Sequence, residues 1–228
     1  MFDPDGDLVD SLHATGRARR HPGWACYHTV LDTFVQDEIE YGIVARVVGA
    51  PFAVLVAEEL FASGCQLLIS ITSAGQILPL SQPPYMILIE QALRDEGTSY
   101  HYLPPAPYSY LQPTLREMVS TNWDHRSVPL HIGASWTTDA PFRETEAMIA
   151  QRRAEGILAV EMEAAALYAL AQARQYQIIC FAHVTNQMGQ AEGDFEKGEA
   201  SGSETALYVV SQTAHAWRQR EIESTMRA

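Results

Sequence analysis

A strand–helix–strand unit between residues 43 and 72 constrains the fold of this chain more than any other feature. Residues 43–48 are rich in β-branched side chains, which is typical of a buried strand. Gly49 and Pro51 end that run, residues 52–62 predict a helix, and residues 66–72 predict a second strand. Two neighbouring strands joined through a helix run parallel. The unit therefore predicts an α/β fold.

The rest of the chain continues this alternation of elements. Strands are predicted at 86–90, 130–136, 157–160 and 177–184, helices at 144–155, 161–175 and 203–220, a tight turn at 73–75, and loops at 103–113 and 185–197. The pattern predicts a single-domain, three-layer α/β/α sandwich with a mixed, largely parallel central sheet over residues 41–228. Residues 1–40 predict an irregular N-terminal arm because Gly, Pro and Arg cluster there.

The charge balance limits the partners of this protein. The formal net charge is -13, and an acidic surface repels phosphate backbones and anionic lipids. We therefore expect no binding to nucleic acid or membranes. Lys197 is the only lysine in the sequence, so an anion site must use Arg side chains, hydroxyl groups or backbone N–H groups.

Three scattered cysteines and an acidic N-terminus without an apolar signal segment predict a cytoplasmic protein with reduced thiols. No apolar run approaches the roughly 20 residues that a membrane span needs. The sequence also lacks the P-loop, dinucleotide-binding and zinc-protease motifs, so neither a metal nor an organic cofactor is predicted.

The segment Glu161-Met162-Glu163 carries the most informative chemistry, at a predicted strand-to-helix junction. A carboxylate can accept hydrogen bonds from two adjacent hydroxyl groups, and a methionine can cover the apolar face of a sugar ring. On spacing alone the plainer interpretation is favoured, in which acids at a helix start complement the helix dipole.

The sequence VEMEAAAL at 160–167 resembles the ribose-binding segment of the nucleoside phosphorylase and uridine phosphorylase family. The resemblance implies that Glu163 binds the ribose 2′ and 3′ hydroxyls, that Met162 packs on the sugar, and that Glu161 supports Glu163. Other family-like segments follow in the same order, namely VGAPFA at 48–53, ITSAG at 71–75, RDEGTS at 94–99 and TTDAPFRET at 137–145.

These segments imply roles for further residues. Ser73 and Gly75 would bind phosphate, the co-substrate of a family that needs no other cofactor. Phe142, Arg143, Thr185 and Asn186 would contact the base, with Arg143 and Asn186 stabilising it as it departs. The resemblance also implies a small-molecule nucleoside as partner and a homo-oligomer, either a dimer or a hexamer.

The chain departs from the family pattern at three places. Ser70 stands where the family usually has a phosphate-binding arginine, and a hydroxyl supplies no charge. The family's Gly-rich phosphate loop is not found before Gly49; Arg17, Arg19, Arg20 and Arg46 are candidate replacements, although a charged arm in solvent is the favoured interpretation. Asn186 replaces a base-protonating Asp, which favours a uridine-type substrate.

Three hypotheses follow from these residues. The first is a pentosyltransferase that cleaves the N-glycosidic bond of a nucleoside with phosphate as acceptor. The second keeps the reaction but uses water, because the phosphate site is altered. The third is a non-catalytic nucleoside-binding protein.

Overall fold

The computed structural model describes residues 1–125, 127–187 and 197–227. Its first elements are β1 (Phe2–Asp3), α1 (Asp7–Ala14), β2 (Arg19–Arg20), β3 (Leu31–Gln36) and β4 (Ile39–Ala45). The expectation of an irregular arm over residues 1–40 is therefore wrong. β1 pairs in parallel with β4, and Phe2 is completely buried. Strands as short as β1 leave no periodic signal, because their stability comes from partners distant in sequence.

The hairpin of β3 and β4 also lies within residues 1–40, and its turn gave no clear sequence signal. Asp37 and Glu38 occupy its two-residue turn with φ values of 47° and 62°. Positive φ at both positions matches the right-handed twist of paired strands, although Gly or Asn is the usual choice there. The turn therefore lacks its ordinary sequence signal.

The strand–helix–strand unit forms, but its first strand, predicted at 43–48, is β4 and ends at Ala45; α2 (Ala50–Ala62) and β5 (Leu67–Gln76) follow. The tight turn predicted at 73–75 is wrong, because β5 continues through these residues. Ser73 pairs with His183, and Gly75 pairs with Val160 on the opposite side of the strand. Partner strands on both sides satisfy the backbone, so the small residues need not turn.

The remaining elements alternate along the chain: β6 (Tyr85–Asp95), β7 (Tyr108–Tyr110), α3 (Pro113–Asn122), β8 (Leu130–Thr138), α4 (Glu146–Ala154), β9 (Ala159–Glu161), α5 (Ala164–Arg174), β10 (Gln177–Asn186) and α6 (Ser203–Arg227). β7 and α3 were not expected, and β7 lies within the predicted loop at 103–113. Most of the loop predicted at 185–197 lies outside the described residues.

One mixed sheet organises the fold. Its two longest ladders, β5–β10 and β6–β8, are parallel, whereas β9 runs antiparallel to β5 and parallel to β8. Together with the β10–β6 pair, these ladders join five strands into a closed ring, in the order β5, β10, β6, β8 and β9. Helices α2 and α5 pack together, and α6 packs against α1 and α3. The predicted single-domain α/β fold class is confirmed. No helix in the described part of the chain could cross a membrane.

Tyr168 ties α5 to the sheet. It is fully buried, its hydroxyl donates to the carbonyl of Ile89, and it accepts the N–H of Cys180 at 3.1 Å. We expect Tyr168→Phe to lower the free energy of unfolding by about 1–3 kcal/mol, because the buried Cys180 N–H loses its acceptor. Urea denaturation measures this loss. Tyr27→Phe, at a side chain that is 97% exposed, is the matched control and should unfold at the wild-type midpoint.

Candidate active site

Strand register brings the predicted site segments together at the end of β5. Gly75 lies between Val160 of β9 on one side and Asn186 of β10 on the other. The Glu161–Glu163 segment begins one residue after Val160. The segments predicted to bind ribose, phosphate and base therefore meet where β5 ends, although they are up to about a hundred residues apart in sequence.

Glu161 is an internal cap for α5. It is 3% exposed, and its Oε1 accepts hydrogen bonds from the hydroxyls of Ser135, at 3.0 Å, and Thr137. Its Oε2 accepts the backbone N–H groups of Glu163 and Ala164 at 2.8 and 2.7 Å. These N–H groups belong to a helix start, where no backbone acceptor is available. Both oxygens are thus occupied, and Glu161 supports the segment without facing a ligand.

Glu163 differs from Glu161 in having one oxygen unoccupied. It is 2% exposed, and its Oε1 accepts the backbone N–H of Gly49 at 2.7 Å. Its buried Oε2 accepts no well-aligned hydrogen bond from any described residue, because the nearby Thr72 hydroxyl, which lowers the pKa of Glu163, donates to the Ser73 carbonyl. Gly49 has a φ of 90°, a conformation that favours glycine, and it begins α2. The N–H of Gly49 therefore orients the carboxylate of Glu163. Oε2 is the atom left to accept hydrogen bonds from a ligand.

The pKa of Glu163 depends on the charge of its buried neighbour Glu161. Burial, and then the negative charge of Glu161, raise the pKa of Glu163 to about 8, against the opposing effect of the Gly49 N–H and the Thr72 hydroxyl. Burial also raises the pKa of Glu161, but four donors favour its charged form. In the unliganded protein near neutral pH, the proton of the pair therefore resides on Glu163. Hydroxyl groups that donate to Oε2 would shift Glu163 toward the carboxylate.

This titration makes stability depend on pH. The folded-state pKa of Glu163, about 8, lies above its ordinary value of 4.5, so the folded protein keeps a proton that the unfolded chain releases. The free energy of unfolding should therefore fall as pH rises from about 4.5 to 8, by at most about 1.4 kcal/mol per pH unit. Urea unfolding of wild type and Glu163→Gln from pH 5 to 9 isolates this contribution, because Gln does not titrate. Parallel pH profiles of the two proteins would contradict it.

The other residues predicted to bind the ribose and the base differ in how far they are buried. Met162 is half-buried beside it. The Phe142 side chain is fully exposed, so it does not pack on the Glu161–Glu163 segment, and Arg143 is also exposed. Thr185 is buried at the end of β10, and its hydroxyl accepts from the Asn186 amide at 3.5 Å. The base-binding roles of these residues stay predictions.

An acidic cluster borders the same end of β5, on the predicted phosphate side. Asp3, Asp5, Asp7 and Ser73 line a cavity there together with His183. The Ser73 hydroxyl donates to the carboxylate of Asp5, and Lys197 binds both Asp5, at 2.8 Å, and Asp7. These acids lie in the region predicted as an irregular arm and were not predicted as site residues. The alternation of Asp3, Asp5 and Asp7 is the sequence signal that points to them.

The cluster is a poor environment for an anion. Burial, together with the charges of Asp5 and Asp7, raises the pKa of Asp3 to about 6, against the opposing effect of the Val9 and Gly6 N–H groups. Burial lowers the pKa of His183, which favours its neutral form. The ammonium of Lys197 is already shared between two carboxylates. A phosphate next to Ser73 would therefore meet more negative than positive charge.

Ser70 does not compensate for the missing arginine. It is 1% exposed within β5, opposite Phe2 and Cys180, and its hydroxyl has no hydrogen-bond partner among the described residues. Arg94 supplies no anion site either, because its guanidinium donates to the Ser99 hydroxyl and to the carbonyls of Leu103 and Pro104. Arg94 therefore holds the 99–104 segment in place. The phosphate-binding roles of Ser73 and Gly75 stay predictions.

Comparisons with known proteins show which sequences resemble this chain. A family model, described as the phosphorylase superfamily, matches residues 15–214. A guanosine phosphorylase from Halorubrum lacusprofundi is 28% identical over 139 residues, which are 60% of this chain and 56% of that protein. An uncharacterized protein of Acanthamoeba polyphaga mimivirus is 28% identical over 147 residues, 64% of this chain and 56% of that protein. The match thus spans little more than half the length of either relative.

A solved structure supports the same fold. Uridine phosphorylase from Vibrio fischeri superposes with a TM-score of 0.76 and 20% sequence identity, over 96% of this chain and 90% of that chain. At this identity the likeness shows the fold alone.

Proposed function

The chain belongs to the phosphorylase superfamily, and from this premise we propose that it cleaves the N-glycosidic bond of a nucleoside. The observation that carries the proposal is the buried Oε2 of Glu163, which has no hydrogen-bond partner in the described part of the chain. A vicinal diol supplies two O–H donors to such a carboxylate. Glu161 would hold the Glu161–Glu163 segment in place, and Met162 would cover the apolar face of the ribose.

The proposed mechanism depends on positioning and charge. Positive charge develops at the anomeric carbon as the bond to the base breaks. The carboxylate of Glu163 would hold the ribose in position, and its negative charge would stabilise the developing positive charge. Arg143 and Asn186 are proposed to stabilise the electron pair that leaves with the base, while Phe142 and Thr185 contact the base. Neither a metal nor an organic cofactor has a part in this mechanism.

The acidic cluster favours water over phosphate as the acceptor. The carboxylate of Asp5 would take a proton from water, the water oxygen would bond to the anomeric carbon, and the electron pair of the broken bond would leave with the base nitrogen. Solvent would then protonate the base, so the products are free base and free ribose. Asp5 has a side chain about one-third exposed, which leaves room for water beside Ser73.

Phosphate is the second candidate acceptor, and the phosphorylase names of the relatives support it. In that case Ser73 and the backbone at Gly75 would hold phosphate, after the Ser73 hydroxyl turns away from Asp5. A nucleoside panel assayed with and without phosphate separates the two. Equal base release without phosphate, with ribose as product, indicates water. Release that requires phosphate, with ribose 1-phosphate as product, indicates phosphorolysis. Calorimetric binding without any base release would identify a non-catalytic nucleoside-binding protein.

The base is proposed to be of the uridine type. Asn186 can hydrogen-bond a base but cannot protonate it, and pyrimidine release does not depend on an acid at that position. The guanosine phosphorylase relative makes guanosine the necessary comparison. Faster release from guanosine than from uridine would overturn the assignment of the base.

Replacing Asp5 tests the acceptor chemistry directly. We expect Asp5→Asn to lower base release in phosphate-free buffer by about 100-fold or more, because the amide cannot accept the proton of water. Nucleoside affinity should change little. Asp10→Asn, at a surface carboxylate paired with Arg46, is the matched control and should keep wild-type activity. Unchanged turnover in Asp5→Asn would remove Asp5 from the mechanism.

We also propose that the protein is a cytoplasmic homo-oligomer, a dimer or a hexamer. Large apolar side chains are exposed on the single chain at Val48, Leu55 and Phe142, which a subunit interface would cover. Light scattering after size-exclusion chromatography measures the number of subunits, and a monomer at micromolar concentration would refute the assembly.

A further inference from the structure

A second cavity, of about 140 Å³, lies between the sheet and α6. Its walls include Leu67 and Ile69 from the start of β5, together with Ala214 and Trp217 from α6. The proposed nucleoside site lies at the other end of β5, around Thr72 to Gly75. The indole N–H of Trp217 donates to the Gln177 side chain at 2.9 Å, which fixes this wall of the cavity. Met1 is the one lining residue that this cavity shares with the cavity beside Ser73.

Tyr41 supplies an unused hydrogen-bond donor at this cavity. It is one of the lining residues, it is 9% exposed, and its buried hydroxyl has no hydrogen-bond partner among the described residues. Its ring stacks on Phe34 with centroids 5.1 Å apart, which limits its movement. The neighbouring Ser211 hydroxyl donates to Asp37, although it lies close enough to Tyr41 to lower the pKa of that hydroxyl. Burial raises the pKa of Tyr41 to about 12, so the hydroxyl remains protonated.

Arg218 supplies positive charge beside this hydroxyl. It lines the cavity from α6 and is exposed, and it forms no ion pair with any carboxylate in the described part of the chain. Its charge acts on the Tyr41 hydroxyl, where it opposes the effect of the Asp37 carboxylate. A hydroxyl donor and a guanidinium donor thus line the same cavity, whose other walls are mostly apolar and include one carboxylate-bearing residue, the exposed Glu40.

We propose that this cavity binds a small aromatic carboxylate. The ring would occupy the apolar space beside Ile69 and Trp217, and the carboxylate would accept from the Tyr41 hydroxyl and the Arg218 guanidinium. The volume suits a single six-membered ring, because an apolar cavity of about 150 Å³ accepts benzene. Water fills such a space poorly, since most of it offers no hydrogen-bond partners. This site is independent of the proposed glycosidic activity.

Calorimetric titration of the full chain with benzoate tests the proposal. We expect binding to wild type, about tenfold weaker binding to Tyr41→Phe, weaker binding to Arg218→Gln, and none to Ala214→Phe, whose ring would fill the cavity. Tyr110→Phe, at a half-exposed tyrosine elsewhere, is the matched control and should bind benzoate as wild type does. Thermal melts establish that each variant is folded.

The outcomes separate this site from the nucleoside site. Benzoate affinity should be unchanged in Glu163→Gln, since that residue lies at the other end of β5. Loss of binding in Glu163→Gln would place benzoate in the nucleoside site and overturn the proposal. No benzoate binding to wild type, or wild-type affinity in a folded Ala214→Phe or Tyr41→Phe variant, would overturn it as well.

Discussion

Glu163→Gln should lower kcat/KM for the preferred nucleoside by about two to four orders of magnitude. The substitution keeps an oxygen that can accept the Gly49 N–H but removes the charge that would bind two ribose hydroxyls. Each hydrogen bond to a charged group contributes about 1.5–3 kcal/mol, and about 1.4 kcal/mol corresponds to a tenfold change in rate. Steady-state kinetics of base release measure the loss.

The control must distinguish a ligand contact from a general loss of structure. Glu90→Gln removes a surface carboxylate paired with Arg116 and should keep wild-type kinetics. A 2′,3′-dideoxynucleoside offers a second comparison, because it lacks the hydroxyls that Glu163 would bind. Wild type and Glu163→Gln should process it equally poorly. If Glu163→Gln lost activity equally on both substrates, Glu163 would act through the fold and not through the ribose.

The parts of the fold that could be predicted are those with a dense local pattern. The apolar run after Gly64 predicted β5 because a strand buried on both faces carries a nearly continuous apolar signal. The β-branched run before Gly49 located only the end of β4, whose first residues alternate between buried and more exposed positions. The failures are at positions decided by distant partners. Ser73 and Gly75 have turn-like composition, yet pairing with His183 and Val160 keeps them in β5. Local propensity could not reveal those pairings.

The candidate site shows the same division. The residues around Glu163 were recognised because one short segment carries the resemblance. Its hydrogen bond to Gly49 joins residues 114 positions apart, and the contact of Lys197 with Asp5 joins residues 192 positions apart. Contacts of this kind follow from the tertiary fold alone. For this reason the sequence could single out the Glu161–Glu163 segment, whose ribose-binding role stays a prediction, but it could not reveal the acidic cluster beside Ser73.

Glu161→Ala should be the most destabilising single substitution at the site, with a loss of about 3–5 kcal/mol in the free energy of unfolding. It would leave the hydroxyls of Ser135 and Thr137 and the N–H groups of Glu163 and Ala164 without their acceptor in a buried position. Each unsatisfied buried group costs about 1–3 kcal/mol, and partial relaxation or water entry recovers part of the total. Urea denaturation at pH 7 measures the loss.

Two comparisons make this expectation specific to buried capping. Glu146→Ala also removes an acid from the first turn of a helix, but at an exposed position, so it should cost less than about 1 kcal/mol. Removing the charge of Glu161 should also lower the pKa of Glu163, because that charge helps to raise it. The fall in stability between pH 5 and 8 should then be shallower in Glu161→Ala than in wild type. A loss equal to that of Glu146→Ala, with an unchanged pH profile, would show that Glu161 does not hold the ribose segment in place.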